Sequence, residues 1–347
     1  MIQVRSTPIM ILGGPDAGKS NYIGALWLRL RRNNGNFRIP VDPDNVAYVE
    51  RIATHLRQGR YPPRTEPDEG ETSFAASISH RDEPETPIAT IDVPDMKGEI
   101  WKNASRDRQI DNDWVSILRR SEAAMLFVRF GSKENVEALD WITSAELMEL
   151  EAEQSGGTDE GVASGDNQAA AAPTNDGLKG FAAADMDGGN EEEGDAGNPR
   201  DGGDEETSQE EGEGEKNTVP TQLFLCDLLN LLEEHLGTGT TVDAPRVAIM
   251  IAAWDSVGAP ERQAGPGAFI KGNYPMFHGR LQDTSRLTTR VFGISATGYD
   301  LNDDRQRDIY LRVGPDRAGF AETDQPNGVQ RADLLMPLAW ALGRVDG

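Results

Sequence analysis

Eight residues near the amino end, Gly13-Gly14-Pro15-Asp16-Ala17-Gly18-Lys19-Ser20, match the spacing G-x-x-x-x-G-K-S without a gap. Each residue type has its own task in that spacing. The glycines let backbone N–H groups converge on phosphate oxygens and make an anion nest at a helix N-terminus. Lys19 brings a point charge to the β- and γ-phosphates, and the Ser20 hydroxyl ligates magnesium. The chemistry expected here is the holding of a magnesium nucleoside triphosphate, with Lys19 as the catalytic cation. Gly13, Gly14, Asp16, Ala17, Gly18, Lys19, Ser20 and the adjoining Asn21 are the candidate binding residues, and Ser20 is a candidate metal ligand. Pro15 lacks an N–H, so the nest has one donor fewer than its length allows.

A second chemical candidate is Asp92, which closes the apolar run Ile88-Ala89-Thr90-Ile91. A carboxylate at the carboxyl end of a strand, beside the phosphate loop, polarises magnesium through a water. It is the second candidate for both the catalytic and the metal sets. Two further strand-like runs end in polar residues. Residues 247–251 are followed by Ala252-Ala253-Trp254-Asp255, and a later run continues Phe292-Gly293-Ile294-Ser295-Ala296-Thr297-Gly298. The resemblance of these two segments to the base-reading elements of GTPases implies that Trp254, Asp255, Ser295, Ala296 and Thr297 complete the candidate nucleotide set, with Trp254 read either as a packed core aromatic or as lying against the base.

These groups need elements to carry them, and the periodicity supplies them. Short apolar runs alternate with helical patterns, which predicts an α/β fold with a mainly parallel sheet. The expectation is a P-loop NTPase with about six strands, helices on both faces and one antiparallel strand. Strands are expected at 8–12, 72–80, 87–92, 123–130, 246–253 and 290–295. Helices are expected at 20–32, 45–58, 111–120, 135–151, 222–235 and 332–344. Val46, Val49, Ile52, Ala53 and Leu56 share one face of the second helix, and Gly59 suits its C-cap. Tyr61-Pro62-Pro63 begins an extended loop.

The chain has 347 residues and a formal net charge of -25. Between Glu151 and Asn217 there are 20 acidic and three basic residues, so about two thirds of the imbalance falls there. That stretch is rich in Gly, Ala and Asn and poor in large apolar residues, a composition expected to be disordered. The organisation expected is a single domain interrupted once: residues 1–151 form its first part, 152–217 an acidic insertion, and 218–347 its second part. The single cysteine, Cys226, excludes an internal disulfide and reads as a buried hydrophobe. The four histidines show no metal-ligand spacing. No run approaches the length of a membrane span, and no basic-then-apolar leader is visible, so a cytoplasmic protein is expected. An acidic surface argues against direct nucleic-acid binding, because phosphate contacts need a basic footprint.

The residues Asp92-Val93-Pro94-Asp95 resemble the D-x-P-G element of GTPases of the translation-factor-related class, with Asp95 in place of the glycine. A competing alignment takes Asp95-Met96-Lys97-Gly98 as an intact D-x-x-G; Asp92 is preferred because Pro94 disfavours Asp95 as a strand end. The resemblance implies a magnesium-ligating threonine between the two motifs, for which Thr65 is the first candidate and Thr72 the second. Thr65 thereby joins the catalytic and metal sets. It also offers Arg64 as a finger toward the phosphates and Glu99 as a positioner of water. Asp255 stands where the aspartate of N-K-x-D reads guanine, without the asparagine and lysine, and Ser295-Ala296 resembles the element that meets the guanine O6. The phrases GGPDAGKSNYIGALW, DVPD with a following GE, and AAWD resemble the bacterial double-GTPase, or dynamin–Obg-like, proteins of multi-gene conflict systems. The resemblance implies GTP and GDP with magnesium as ligands, and a GTPase switch acting on protein partners. A nucleotide-holding scaffold with little turnover and a P-loop ATPase or kinase are the alternatives.

Overall fold

The computed structural model describes residues 8–32, 37–42, 46–63, 74–93, 110–131 and 219–344, without the side chains of residues 74, 92 and 93. The helix expected at 135–151 and the acidic stretch 152–217 lie outside the described residues. Strand β1 (Ile9–Gly13) is buried at every position and leads through the glycine-rich loop into α1 (Lys19–Leu30). Helix α2 (Ala47–Arg57) packs on α1 with Val49, Ile52, Ala53 and Leu56, the face its periodicity predicted. The Trp27 indole N–H donates to Glu50 at 2.8 Å and joins the two helices at their polar margin.

Strands β2 (Phe37–Arg38), β3 (Phe74–His80) and β4 (Glu83–Val93) form a three-stranded antiparallel sheet in that order. The register of β3 on β4 shifts around Ser79, opposite Pro87. A proline has no ladder N–H to offer, and the irregularity falls where one is missing. Helix α3 (Asn112–Arg120) starts at Asp111, whose side chain accepts from the Asp113 N–H. It is followed by β5 (Ala123–Arg129), and after residues 132–218 by α4 (Thr221–His235) and β6 (Arg246–Ala252). A 3-10 turn, Trp254–Ser256, opens a run of short helices: α5 (Ala259–Ala264), α6 (Pro266–Asn273) and α7 (Pro275–Gln282). Then come β7 (Thr288–Ser295), α8 (Asp304–Val313), β8 (Phe320–Gln325), β9 (Gly328–Ala332) and α9 (Met336–Ala341).

The main sheet has six strands in the order β1-β5-β6-β7-β8-β9. The first four are parallel; β8 and β9 run antiparallel to their neighbours. Strand number and class agree with the expectation, but the membership differs. One strand, β8, runs against the other five, as expected, but β4, which lies against β1, belongs to the smaller sheet. The β8–β9 hairpin escaped the periodicity because buried Glu322 and Thr323 interrupt its apolar pattern. The last helix is shorter than expected, because a turn at 334–335 precedes it and a turn at 342–343, with Gly343 at φ 68°, ends it.

Strands β5 and β6 pair along their whole length, so segments from both sides of residues 132–218 are hydrogen-bonded neighbours. The parallel strands bury both faces, which is why they read as continuous apolar runs. Ile9, Ile11, Met125, Phe127 and Met250 join α1, α2 and α9 in one core. Met10, Leu12, Leu126, Val128 and Ile251 join α4, α6 and α7 in the other. Burying each large apolar side chain contributes about 1.5–3 kcal/mol. The registers bring the carboxyl ends of the parallel strands to one edge, with Gly13 beside Phe127, Arg129 beside Ala252 and Ile251 beside Gly293.

Candidate functional site

The loop between β1 and α1 is shaped by close approach to the sheet. Gly13 has φ 144° and Gly18 φ 88°, a region that L side chains rarely adopt. A Cβ on Gly13 would stand 2.8 Å from the Phe127 carbonyl oxygen, and one on Gly18 2.8 Å from the Ala252 Cβ. Lys19 is 8% exposed, and its Nζ donates to the carbonyl oxygens of Gly13 at 2.8 Å and Gly14 at 2.7 Å. The loop therefore curls around an ammonium. The first turn of α1 carries no acidic residue, so nothing there offsets the positive end of the helix dipole. Ala17 is buried, and the Ser20 hydroxyl lies 3.4 Å from that of Tyr48 on α2.

Beside this loop a cleft of about 350 Å³ opens at the carboxyl edge of the parallel strands. Asp16, Gly18 and Asn21 line it from the phosphate loop and α1, and Arg129 from the end of β5. Ala252, Ala253, Asp255 and Ser256 line it after β6, and Ala296 and Thr297 after β7. Tyr61 and Pro62, with Asp300 and Asn302, complete the wall. The structure thus brings the phosphate loop, Asp255 and the Ala296-Thr297 pair onto a single cavity.

The turn after β6 explains how Asp255 gets there. Ala253 adopts a left-handed conformation with φ 56°, and the chain enters the 3-10 turn from it. Trp254 then points inward and is fully buried. Its ring occupies the space a side chain at Gly293 would take, since a Cβ there would stand 2.3 Å from the indole. The same ring meets Phe269 edge-on at 5.4 Å. Its indole N–H donates to Glu322 on β8 at 2.6 Å, and Arg262 donates to the other carboxylate oxygen at 2.7 Å. Trp254 is therefore a core anchor and does not line the cleft, which decides between its two readings. Ser295 is 1% exposed and its hydroxyl accepts the Gly298 N–H at 2.7 Å, shaping the turn that carries Ala296 and Thr297.

Thr297 donates to the Tyr299 carbonyl at 2.8 Å, and the Tyr61 hydroxyl accepts from the Leu301 N–H at 3.3 Å. Burial pushes the Tyr61 hydroxyl above its ordinary pKa, which keeps it protonated. The backbone of Asp92 pairs with Ala75 next to the end of β4; its side chain is not among those described. Thr65, Thr72, Arg64, Asp95 and Glu99 lie outside the described residues. Among the described residues, no group of three His, Cys, Asp or Glu side chains is placed to hold a metal ion. Cys226 is buried, and burial raises its thiol pKa, as its apolar neighbours suggested.

The sequence did not mark Arg129, Tyr61, Asp300 or Asn302. Arg129 had a signal: it is the polar residue that closes the central apolar run, and so falls at the carboxyl edge where ligands bind. The others sit on loops whose course only tertiary packing fixes. Among the described residues, no helix is long and apolar enough to cross a membrane. A family model described as Double-GTPase 1 matches residues 10–177 and 188–341. No curated protein and no solved structure matches the chain.

Proposed function

The chain belongs to the Double-GTPase 1 family, and from that premise we propose that its cleft holds GTP and GDP with magnesium and that the protein is a GTPase switch. One observation carries the reading: the phosphate loop and Asp255 face the same cavity from the ends of β1 and β6. The loop amides and Lys19 would take the β- and γ-phosphates. Asp255 would accept from guanine N1–H and N2–H, whereas adenine offers a ring acceptor at that edge. An ionised carboxylate only accepts, so this favours guanine.

In this reading Ser20, Asp92 and Thr65 are the residues that would hold magnesium, which would supply positive charge against the phosphates. The segment following Pro62 and the segment 92–101 would then present a surface to protein partners, in a bacterial multi-component system of the conflict or defence type. The first of these leaves from Tyr61, which is tied to the loop after β7 and so to the cleft. A cytoplasmic protein without direct nucleic-acid contacts fits this role. Ala252 and Ala253 favour a second reading, a nucleotide-holding scaffold with slow or no turnover, because they place no polar side chain beside the base or the loop.

Competition among GTP, GDP and ATP for a fluorescent guanine nucleotide tests the site. GTP and GDP should displace it at least tenfold more readily than ATP, as expected when a half-buried acceptor discriminates. Preferential displacement by ATP would replace the reading with that of a P-loop ATPase. Single-turnover hydrolysis with magnesium separates switch from scaffold.

A further inference from the structure

The charged side chains in the described lining of the cleft are Asp16, Asp255, Asp300 and Arg129. Three carboxylates and one guanidinium are an unfavourable balance for a polyphosphate. The carboxylate that matters most is Asp16, because it belongs to the phosphate loop itself. Arg129, the last residue of β5, donates through Nη1 to the Asp16 carboxylate and lies 3.3 Å from the Asp16 carbonyl oxygen. Asp16 has φ 56°, a left-handed conformation unusual for a residue with a side chain. The residue paired with Arg129 on β6 is Ala252, whose methyl packs under Gly18 but carries no polar group. The side-chain tie between sheet and loop thus comes from β5.

We infer that Arg129 is a positioning residue for nucleotide binding, cancelling the Asp16 charge beside the phosphate nest and holding the loop to the sheet. The inference rests on the proposed binding of a nucleotide in this cleft. With Arg129 in place, the loop presents its amides to phosphate without a net negative charge among them. Without it, the Asp16 carboxylate stands next to the phosphates with no guanidinium beside it, and its carbonyl loses the bond from Arg129. Both groups are partly exposed, so solvent moderates the effect.

The test is a double-mutant cycle read by calorimetric affinity for Mg-GDP and Mg-GTP, with thermal unfolding of each variant alongside. Arg129→Ala should weaken both nucleotides about tenfold or more, and Arg129→Lys should recover most of that loss by restoring the charge. Asp16→Asn keeps an acceptor for Arg129, suits the αL backbone and frees the guanidinium charge for the phosphates, so it should bind about threefold or more tightly than the unmodified chain. In the Asp16→Asn background, Arg129→Ala should cost less than about threefold. A merely structural arginine gives the same loss in both backgrounds, and that result overturns the inference while leaving nucleotide binding intact. Unchanged or weaker binding by Asp16→Asn overturns it as well, and does so even if Arg129→Ala does not fold. Absence of nucleotide heat from the unmodified chain sinks the inference together with the reading beneath it.

Discussion

Asp16 and Ala253 are the two non-glycine residues with left-handed φ among those described, and both line the cleft. Such a conformation costs roughly 1–2 kcal/mol for a residue with a Cβ, and under the proposed function both fall at the cavity that would hold the nucleotide. Two substitutions exploit this. Ala253→Gly relieves the strain while adding unfolded-state entropy, so chemical denaturation should show stability unchanged or raised by up to about 1 kcal/mol. A clear loss would mean that the turn does not need its left-handed entry. Gly18→Ala should do the opposite, because φ 88° and the 2.8 Å approach to Ala252 leave no room for a methyl. It should abolish nucleotide affinity even where the variant folds. At this scale the sequence was most legible where the chemistry is local. Eight consecutive residues specify the phosphate loop, and Asp255 follows its strand directly. The direction of the Trp254 and Ser295 side chains was not legible: neighbours of a site residue can point into the core, and only packing against Gly293 or the turn at Gly298 decides which.

Elements are held in place by buried polar links that periodicity does not reveal. Glu322 on β8 accepts from both Trp254 and Arg262, and so fixes the turn that presents Asp255. Glu322→Ala leaves a buried indole N–H unpaired and should cost about 2–4 kcal/mol, with guanine-nucleotide affinity falling in parallel. Loss of stability without loss of affinity would separate β8 from the site. A second link joins α4 to the segment before β7. Burial alone would raise the pKa of Glu233, but the hydrogen bond from Arg280 and the N–H groups of Ser285 and Arg286 outweigh it and hold it at about 2, against 4.5 ordinarily. Its stabilisation is therefore complete above pH 4.5 and is lost as the pH falls through about 2. Glu233→Gln should lower stability by about 2 kcal/mol at pH 7, and the difference should shrink between pH 4.5 and 2, as pH-dependent unfolding can measure. The parallel strands and the larger helices were readable because each has a single strong period. Helices α5 to α7 were not, being short runs punctuated by Pro260, Pro266 and Pro275 that acquire their shape from the core they cover.

Across the whole molecule, the pairing of β5 with β6 means that the main sheet needs residues on both sides of 132–218, while none of its six described strands comes from within them. The acidic stretch carries most of the net charge. Removing residues 153–217 should leave equilibrium affinity for GDP within about threefold. It should also speed nucleotide association at low salt more than at high salt, since a polyanion approaches a less negative body. A large loss of affinity would give that stretch a direct part in the site. The central claim, that a helix-start nest with one ammonium holds the phosphates of a guanine nucleotide, is tested most directly by calorimetric titration of Mg-GTP into the unmodified chain and into Lys19→Ala. The account predicts a saturable heat for the first and its loss, or a drop of about a hundredfold in affinity, for the second. Equal heats and affinities for both proteins would contradict it.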